Sequence, residues 1–210
     1  MALKRAILFI DGSNTYHRLK DNKIFDFFSY KWLYERLKKR FDIQKVYFYD
    51  AIKSFKMEPE QYSEQQAFHE RLKKEIPGII IRKRKLKYLK IDKQLEIAKK
   101  QADFCKICEP KIEKFLENSG LRKLSKEKGV DIMLVADMIR GAFQNKYETA
   151  LLLTGDADFI PAVELVQFLR KDVGNVHCYA GSSSELRNKC DFHILISGTQ
   201  QESCFLKYYS

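Results

Sequence analysis

The sequence predicts an α/β fold in which helices cover both faces of a mostly parallel sheet of five to six strands. Short, nearly continuous apolar runs recur along the chain, as is typical of strands that are buried on both faces. Segments with apolar residues at helical spacing separate these runs, so strands and helices alternate. Two of the apolar runs end in aspartates, which lie where ligands gather in sheets of this class.

The first half of the chain shows this alternation clearly. Apolar runs at residues 4–10 and 45–51 predict two buried strands, the first followed by a tight turn. Between them, residues 30–41 place apolar side chains four apart on one helical face. A second helix ends at Pro77, and residues 78–84 predict a third strand.

The second half resumes the alternation after a less regular segment. Residues 89–128 lack a clear strand pattern and predict a helical or loop insertion, after which an apolar helix opens at residues 128–131. The elements that follow are a strand, a helix, a strand, a short helix and a last apolar run, at residues 150–153, 159–170, 175–179, 183–189 and 192–196. We therefore expect one domain over residues 1–198 and a C-terminal tail over residues 199–210.

The composition indicates an attraction for polyanions. Thirty-nine Lys and Arg residues against 28 Asp and Glu give a net charge of +11, which makes nucleic acid the leading partner. Lysine-rich helices that simply keep the protein soluble explain the charge equally well. No stretch approaches the roughly 20 apolar residues of a membrane span. Five cysteines without an export signal favour a reducing compartment, and the cytoplasm is the expected location.

Aspartates follow two of the predicted strands and open one predicted helix. Asp11 follows the first strand, Asp156 and Asp158 follow the fourth, and Asp131 lies at a helix start. Each could be a turn or cap residue, but parallel central strands would bring them to one edge of the sheet. Gathered carboxylates repel one another unless a cation neutralises them, so together they indicate a metal site. With His17 the only nearby histidine, oxygen ligands favour Mg²⁺ or Mn²⁺ over zinc.

Three motifs containing these acids occur in a fixed order. They are Phe-Ile-Asp-Gly-Ser-Asn at residues 9–14, Lys-Gly-Val-Asp at residues 128–131 and Thr-Gly-Asp-Ala-Asp-Phe at residues 154–159. Together they resemble the NYN domain of the LabA-like group, a branch of the PIN-like nucleases. The resemblance covers about residues 4–196 and is weakest in the insertion. It implies a three-layer α/β/α fold and an endoribonuclease that hydrolyses RNA phosphodiester bonds with Mg²⁺ or Mn²⁺.

The resemblance also implies roles for individual residues. The catalytic residues that would hold the metal are Asp11, Asp131, Asp156 and Asp158. Three further residues would support the site. Asn14 would position a metal-bound water or a phosphate, and Thr154 would hydrogen-bond a carboxylate or such a water. Asp137 matches an acid of the family's helix, but it lies six residues from Asp131 and therefore on a different helical face.

A dense basic segment follows the third predicted strand. Its candidate RNA-binding residues are Arg82, Arg84, Lys85, Lys87 and Tyr88. The cations would track a phosphate backbone of single-stranded or structured RNA, and Tyr88 would stack on a base. A solvated strand edge that is protected by lysines is an equally good explanation.

One cysteine pair lies in the predicted insertion. Cys105 and Cys108 form half of a zinc knuckle, but no second pair or histidine lies at the usual spacing. Ordinary thiols are the favoured interpretation. Two copies of the chain would complete a zinc site if they shared it, which leaves a homo-oligomer open.

Two other functions compete with cleavage. The pattern Asp11-x-Ser13-x-Thr15 resembles the metal-dependent adhesion motif of von Willebrand A-like domains, but that motif uses one carboxylate and several hydroxyls, whereas this chain offers several carboxylates. A PIN-like protein that binds RNA or regulates partners without cutting is the second alternative. The intact acids favour the nuclease.

Overall fold

The computed structural model describes residues 2–88, 110–111, 114, 125–126, 129–198 and 204–209. Its strands are β1 (Arg5–Asp11), β2 (Asp42–Ile52), β3 (Ile80–Lys85), β4 (Lys87–Tyr88), β5 (Ser125–Lys126), β6 (Thr149–Leu153), β7 (Asp172–Cys178), β8 (Phe192–Gly198) and β9 (Cys204–Tyr209). Its helices are α1 (Gly12–Asp21), α2 (Tyr30–Leu37), α3 (Pro59–Glu75), α4 (Val130–Phe143), α5 (Ile160–Phe168) and α6 (Ser184–Lys189). None of the described helices is long and apolar enough to cross a membrane.

Seven of the strands form one sheet in the order β3-β2-β1-β6-β7-β8-β9. The strands run parallel except β9, which is antiparallel to β8. The chain first adds β2 and β3 on one side of β1 and later adds β6, β7 and β8 on the other side. The order therefore reverses between β1 and β6, and the carboxyl ends of these two strands flank the switch point where ligands bind in open α/β sheets.

Helices cover both faces of this sheet. Alternate residues of β1 enter opposite cores, since Leu8 packs with buried residues of α1, α2 and α3 and Phe9 packs with buried residues of α4, α5 and α6. Both side chains are fully buried, which explains why the strand reads as a continuous apolar run rather than an alternating one. The predicted three-layer α/β/α fold is confirmed.

Two elements differ from the sequence-based expectation. A helix, α1, begins directly after β1, where a tight turn was predicted, because the side chain of Asp11 accepts a hydrogen bond from the backbone of Asn14 and caps the helix. The main sheet has a seventh strand, which is β9, and this strand lies within residues 199–210, for which a tail was predicted. It pairs with β8 along its whole length, so the sheet exceeds the expected five to six strands.

Most of the predicted insertion, residues 89–128, lies outside the described residues. Within it, β5 pairs antiparallel with β4 as a separate two-stranded sheet. Cys105 and Cys108 fall outside the described residues, so their interpretation as ordinary thiols rather than zinc ligands stays a prediction.

Candidate functional site

Asp11 is held in one position at the switch point. It ends β1, caps α1 and is only 4% exposed. Its Oδ1 accepts a hydrogen bond from the backbone N–H of Asn14 at 3.1 Å, and its Oδ2 accepts one from the hydroxyl of Thr154 at 3.0 Å. Glycine must follow it, because a Cβ at Gly12 would lie 2.6 Å from the ring of Phe48. The helix N-terminus and these two donors stabilise the charged carboxylate.

The loop after β6 interlocks with the start of α1. The hydroxyl of Thr154 accepts a hydrogen bond from the backbone N–H of Asp156 at 3.3 Å, and the side-chain oxygen of Asn14 accepts one from the N–H of Gly155 at 2.8 Å. Asp156 then caps a short 3₁₀ turn, in which its Oδ1 accepts from the N–H of Asp158 at 3.0 Å. Backbone and side-chain hydrogen bonds therefore join the first and third motifs, although they are far apart in the chain.

Asp131 reaches the same edge from the first turn of α4. Desolvation raises the pKa of its carboxyl above the ordinary value, and the negative charges of Asp156 and Asp158 raise it further. Within the described part of the chain, no Lys, Arg or His forms an ion pair with any of these three carboxylates. The three acids thus repel one another across an edge that the described residues leave without a compensating cation.

The acids share an edge but do not form a compact cage. Among the described residues, no three Asp, Glu, His or Cys side chains are arranged so that they could together hold one metal ion. Asp11 accepts hydrogen bonds from two protein donors. Asp131 interacts with Asp156 and Asp158 through electrostatic repulsion and not through a shared hydrogen bond. The carboxylate oxygens lie along one open edge of the sheet and do not form a complete set of ligands around one metal position.

Asp137 has a different environment from Asp131, although both lie on α4. Its carboxylate accepts a hydrogen bond from the hydroxyl of Tyr49 at 3.1 Å and pairs with Arg82 at 3.0 Å and with Arg140 at 3.2 Å. Burial and the adjacent carboxylate of Asp137 raise the pKa of the Tyr49 phenol. Asp137 therefore joins α4 to β2 and β3 instead of joining the other acids.

The candidate RNA-binding residues lie along an edge of the sheet. Arg82, Arg84 and Lys85 belong to β3, which is an edge strand, and all three are exposed. Arg82 also forms an ion pair with Asp137, so part of the charge of Arg82 is already compensated. Lys87 and Tyr88 form β4, beyond that edge strand.

Two buried polar residues near the site were not identified from the sequence. Asn175 of β7 is fully buried and donates to the backbone oxygens of Leu152 at 3.1 Å and Thr154 at 2.9 Å, which fixes the end of β6. His69 is also fully buried and contacts Asp50 at 2.7 Å. Asn175 interrupts an apolar strand run, a signal that could have identified it, whereas the histidine lies in a polar helix without such a signal.

Comparison with known proteins gives a family and a fold. A family model described as the NYN domain matches residues 5–197. No curated protein matches the sequence. Among solved structures, a protein of unknown function from Vibrio parahaemolyticus RIMD 2210633 is similar, with a TM-score of 0.63 and 17% identity over 97% of each chain. At this identity the similarity shows the fold alone.

Proposed function

The chain belongs to the NYN domain family, of the PIN-like nuclease superfamily, and on that basis we propose that it is a metal-dependent endoribonuclease. The observation that carries this proposal is the uncompensated charge of Asp131, Asp156 and Asp158 beside the switch point. Asp137 on the same helix is paired with two arginines, whereas repulsion among the three unpaired acids is unfavourable without a cation. The LabA-like group stays a prediction.

The donor set fits Mg²⁺ or Mn²⁺. The four aspartates Asp11, Asp131, Asp156 and Asp158 offer only oxygen atoms, which suit hard divalent cations. Mg²⁺ usually keeps several waters and takes one or two carboxylates from the protein, so an open arrangement of acids is compatible with it. When bound, such an ion lowers the pKa of a bound water and stabilises the charge that develops on the phosphate.

The chain's own residues would prepare the reaction. Thr154 fixes one oxygen of Asp11 and leaves the carboxylate further lone pairs for a ligand. Asn14, whose side-chain oxygen holds the loop at Gly155, keeps its amide N–H donors for a phosphate or a water. Asp131 has a raised pKa and is therefore the acid best suited to accept a proton from the attacking water.

The proposed substrate is RNA, in keeping with the family and with the net charge of +11. The exposed cations Arg84 and Lys85 would guide the strand toward the sheet edge. RNA binding without cleavage is the second candidate, and the absence of three convergent ligands among the described residues favours it. An adhesion-type metal site is less favoured, because that motif uses one carboxylate and several hydroxyls, whereas this edge brings several carboxylates together.

A cleavage assay tests the proposal. Labelled single-stranded RNA is incubated with the protein and Mg²⁺, with and without EDTA, beside Asp156→Asn and the control Asp26→Asn in an exposed turn. We expect cleavage that EDTA abolishes, that Asp156→Asn lowers by more than about 100-fold, and that the control leaves unchanged. Undiminished cleavage by Asp156→Asn would defeat the proposal, and binding without any cleavage by the natural sequence would establish the second candidate.

A further inference from the structure

A basic pocket lies between the end of α2 and the edge strand β9. Its volume is about 240 Å³, and it is lined by Arg36, Lys39, Arg40, Phe205, Leu206 and Tyr208. The three cations come from the last turn of α2 and the residues just after it, and the three apolar or aromatic residues come from β9. We call these six residues the basic pocket.

The basic pocket is far from the acidic edge. Residue 42, just after its cations, pairs with Arg5 at the amino end of β1, whereas Asp11 ends that strand. Tyr208 likewise pairs with Ile194, near the amino end of β8. A strand of this length spans roughly 20 Å, at about 3.3 Å per residue. Leu206 and Phe205 pair further along β8, with Ile196 and Ser197, but β9 is separated from β6 by two strands, roughly 14 Å across the sheet. Arg40 and Tyr208 therefore lie toward the other end of the sheet from the acids, and no single phosphate could touch both.

The charge of the basic pocket is uncompensated. No carboxylate among the described residues forms an ion pair with Arg36, Lys39 or Arg40, whereas Arg82 and Arg140 share one aspartate. The guanidinium of Arg40 lies over the ring of Tyr208, 4.0 Å from its centroid. This cation–π contact holds the side chain at the pocket without neutralising its charge.

These features point to a phosphate ligand. Arginine presents a planar fork of donors that matches phosphate oxygens, and two arginines with a lysine offer more positive charge than a single carboxylate would neutralise. A volume of 240 Å³ is below the range of roughly 300–1,000 Å³ for small-molecule sites, so the pocket suits a phosphate whose remaining chain stays outside. Tyr208 packs against the core and is covered by Arg40, so Phe205 is the aromatic residue of the pocket that suits stacking of the attached base.

We propose that the basic pocket binds a phosphate of single-stranded nucleic acid that runs along the β9 edge, with Arg36 and Arg40 on the phosphate oxygens. A simpler explanation is that these cations complement the negative C-terminal end of α2. That explanation accounts for Arg36, which lies in the last turn, but not for Arg40, which lies beyond the helix and against Tyr208. The site goes beyond the cleavage reaction and does not depend on it.

Binding of a fluorescein-labelled oligouridylate, followed by anisotropy in EDTA, tests this proposal without any cleavage. The test variant carries Arg36→Gln, Lys39→Gln and Arg40→Gln. The control carries Lys146→Gln, Arg170→Gln and Lys171→Gln, which removes the same charge from turns before β6 and β7, at the same end of the sheet. Thermal melting followed by circular dichroism verifies that both variants are folded.

We expect the test variant to bind about tenfold more weakly and to lower the slope of log K against log salt concentration by about 1, with the control within about twofold of the natural sequence. Arg40→Lys keeps the charge but loses the fork of donors, so it should also weaken binding. Equal losses in the test and control variants, unchanged binding by the test variant, or no binding by the natural sequence would each overturn the proposal.

Competitors identify the ligand class. Unlabelled oligouridylate should displace the probe, whereas uridine 5′-monophosphate at the same phosphate concentration should displace little of it. Polyglutamate should not compete at matched charge. Displacement by the mononucleotide as efficient as by the oligonucleotide would overturn the proposed strand in favour of a free nucleotide, and equally efficient displacement by polyglutamate would overturn phosphate recognition.

Discussion

Asp131 and Asp137 lie on the same helix, six residues apart, yet their electrostatic environments are opposite. Asp137 has two arginines and a tyrosine hydroxyl as partners, which neutralise its charge and join three elements. Asp131 has two other aspartates as its electrostatic neighbours, and no described cation pairs with it. The unpaired acid, not the paired one, is therefore available for a ligand, and substitution of each acid in turn tests this difference.

Substitution of these two acids should change RNA cleavage more than any other property. Asp131→Asn should lower Mg²⁺-dependent RNA cleavage by more than about 100-fold, because the amide neither binds a cation well nor accepts a proton. Asp137→Asn should lower cleavage far less, within about threefold, because its partners hold it away from the other acids. Initial rates at saturating RNA would measure both. Equal losses for the two variants would remove the functional distinction between the two acids.

The next effect is on stability, for which Asp137→Asn should cause the larger change and Asp131→Asn the smaller one. Asp137→Asn should lower the free energy of unfolding by about 2 kcal/mol, because it leaves the half-buried Arg82 contact without its charged partner. Urea denaturation measures this change. A double-mutant cycle with Arg82→Gln should show coupling between the two sites, and strictly additive effects would mean that the ion pair contributes nothing.

Buried His177 avoids an unpaired charge in another way than Asp137 does, because it loses its proton. Burial lowers its pKa to about 4, and its Nε2 lies 3.0 Å from Nδ1 of His193. Because the folded pKa is below the unfolded value of 6.5, the unfolded chain binds more protons between these two values. The stability from this histidine is therefore complete above pH 6.5 and is lost as the pH falls toward 4.

Between pH 7 and pH 5, this histidine should reduce the free energy of unfolding by about 1–2 kcal/mol. His177→Gln should remove that part of the pH dependence, while His17→Gln, at an exposed position on α1, should keep it. Urea denaturation at several pH values gives the comparison. A pH dependence that is the same in both variants would show that His177 has the same protonation state in the folded and the unfolded chain.

Loss of the Asp131 charge should also produce a slight gain in stability. At neutral pH the charged Asp131 is disfavoured by its neighbours, so Asp131→Asn should raise the free energy of unfolding slightly, by at most about 0.5 kcal/mol, because the side chain is exposed and solvent screens the repulsion. The raised folded pKa means that this gain disappears as the pH falls below the ordinary value of 3.8. A loss of stability at pH 7 would show that the N-terminus of α4 or another group outweighs the repulsion on the charge of Asp131.

Much of the architecture could be predicted from local patterns. Strands β1 and β6 are fully apolar over most of their length, because they are buried on both faces, and this made them recognisable. The aspartates after them were recognisable because parallel strands end at one edge. By contrast, β9 has only six residues and mixes lysine with aromatic side chains, so its pairing with β8 had no local signal.

The arrangement of the acids is less predictable than their presence. The bond between Asp11 and Thr154 joins residues 143 positions apart, and nothing in either motif specifies which oxygen it uses. The environment of Asp137 depends on Arg82, 55 positions away on another strand. Helical spacing does place it on a different face from Asp131, but spacing alone does not identify the partners on that face.

The parallel α/β architecture and the aspartates at its strand ends are specified by local sequence patterns, because apolar periodicity and chain order act without reference to distant partners. The pairing of charges, by contrast, depends on the three-dimensional fold. The fold joined Asp137 to Arg82 and left Asp131 beside Asp156, and it placed Arg40 over Tyr208 at the other end of the sheet. Charge compensation depends on distances between side chains that are remote in sequence, and folding alone sets those distances.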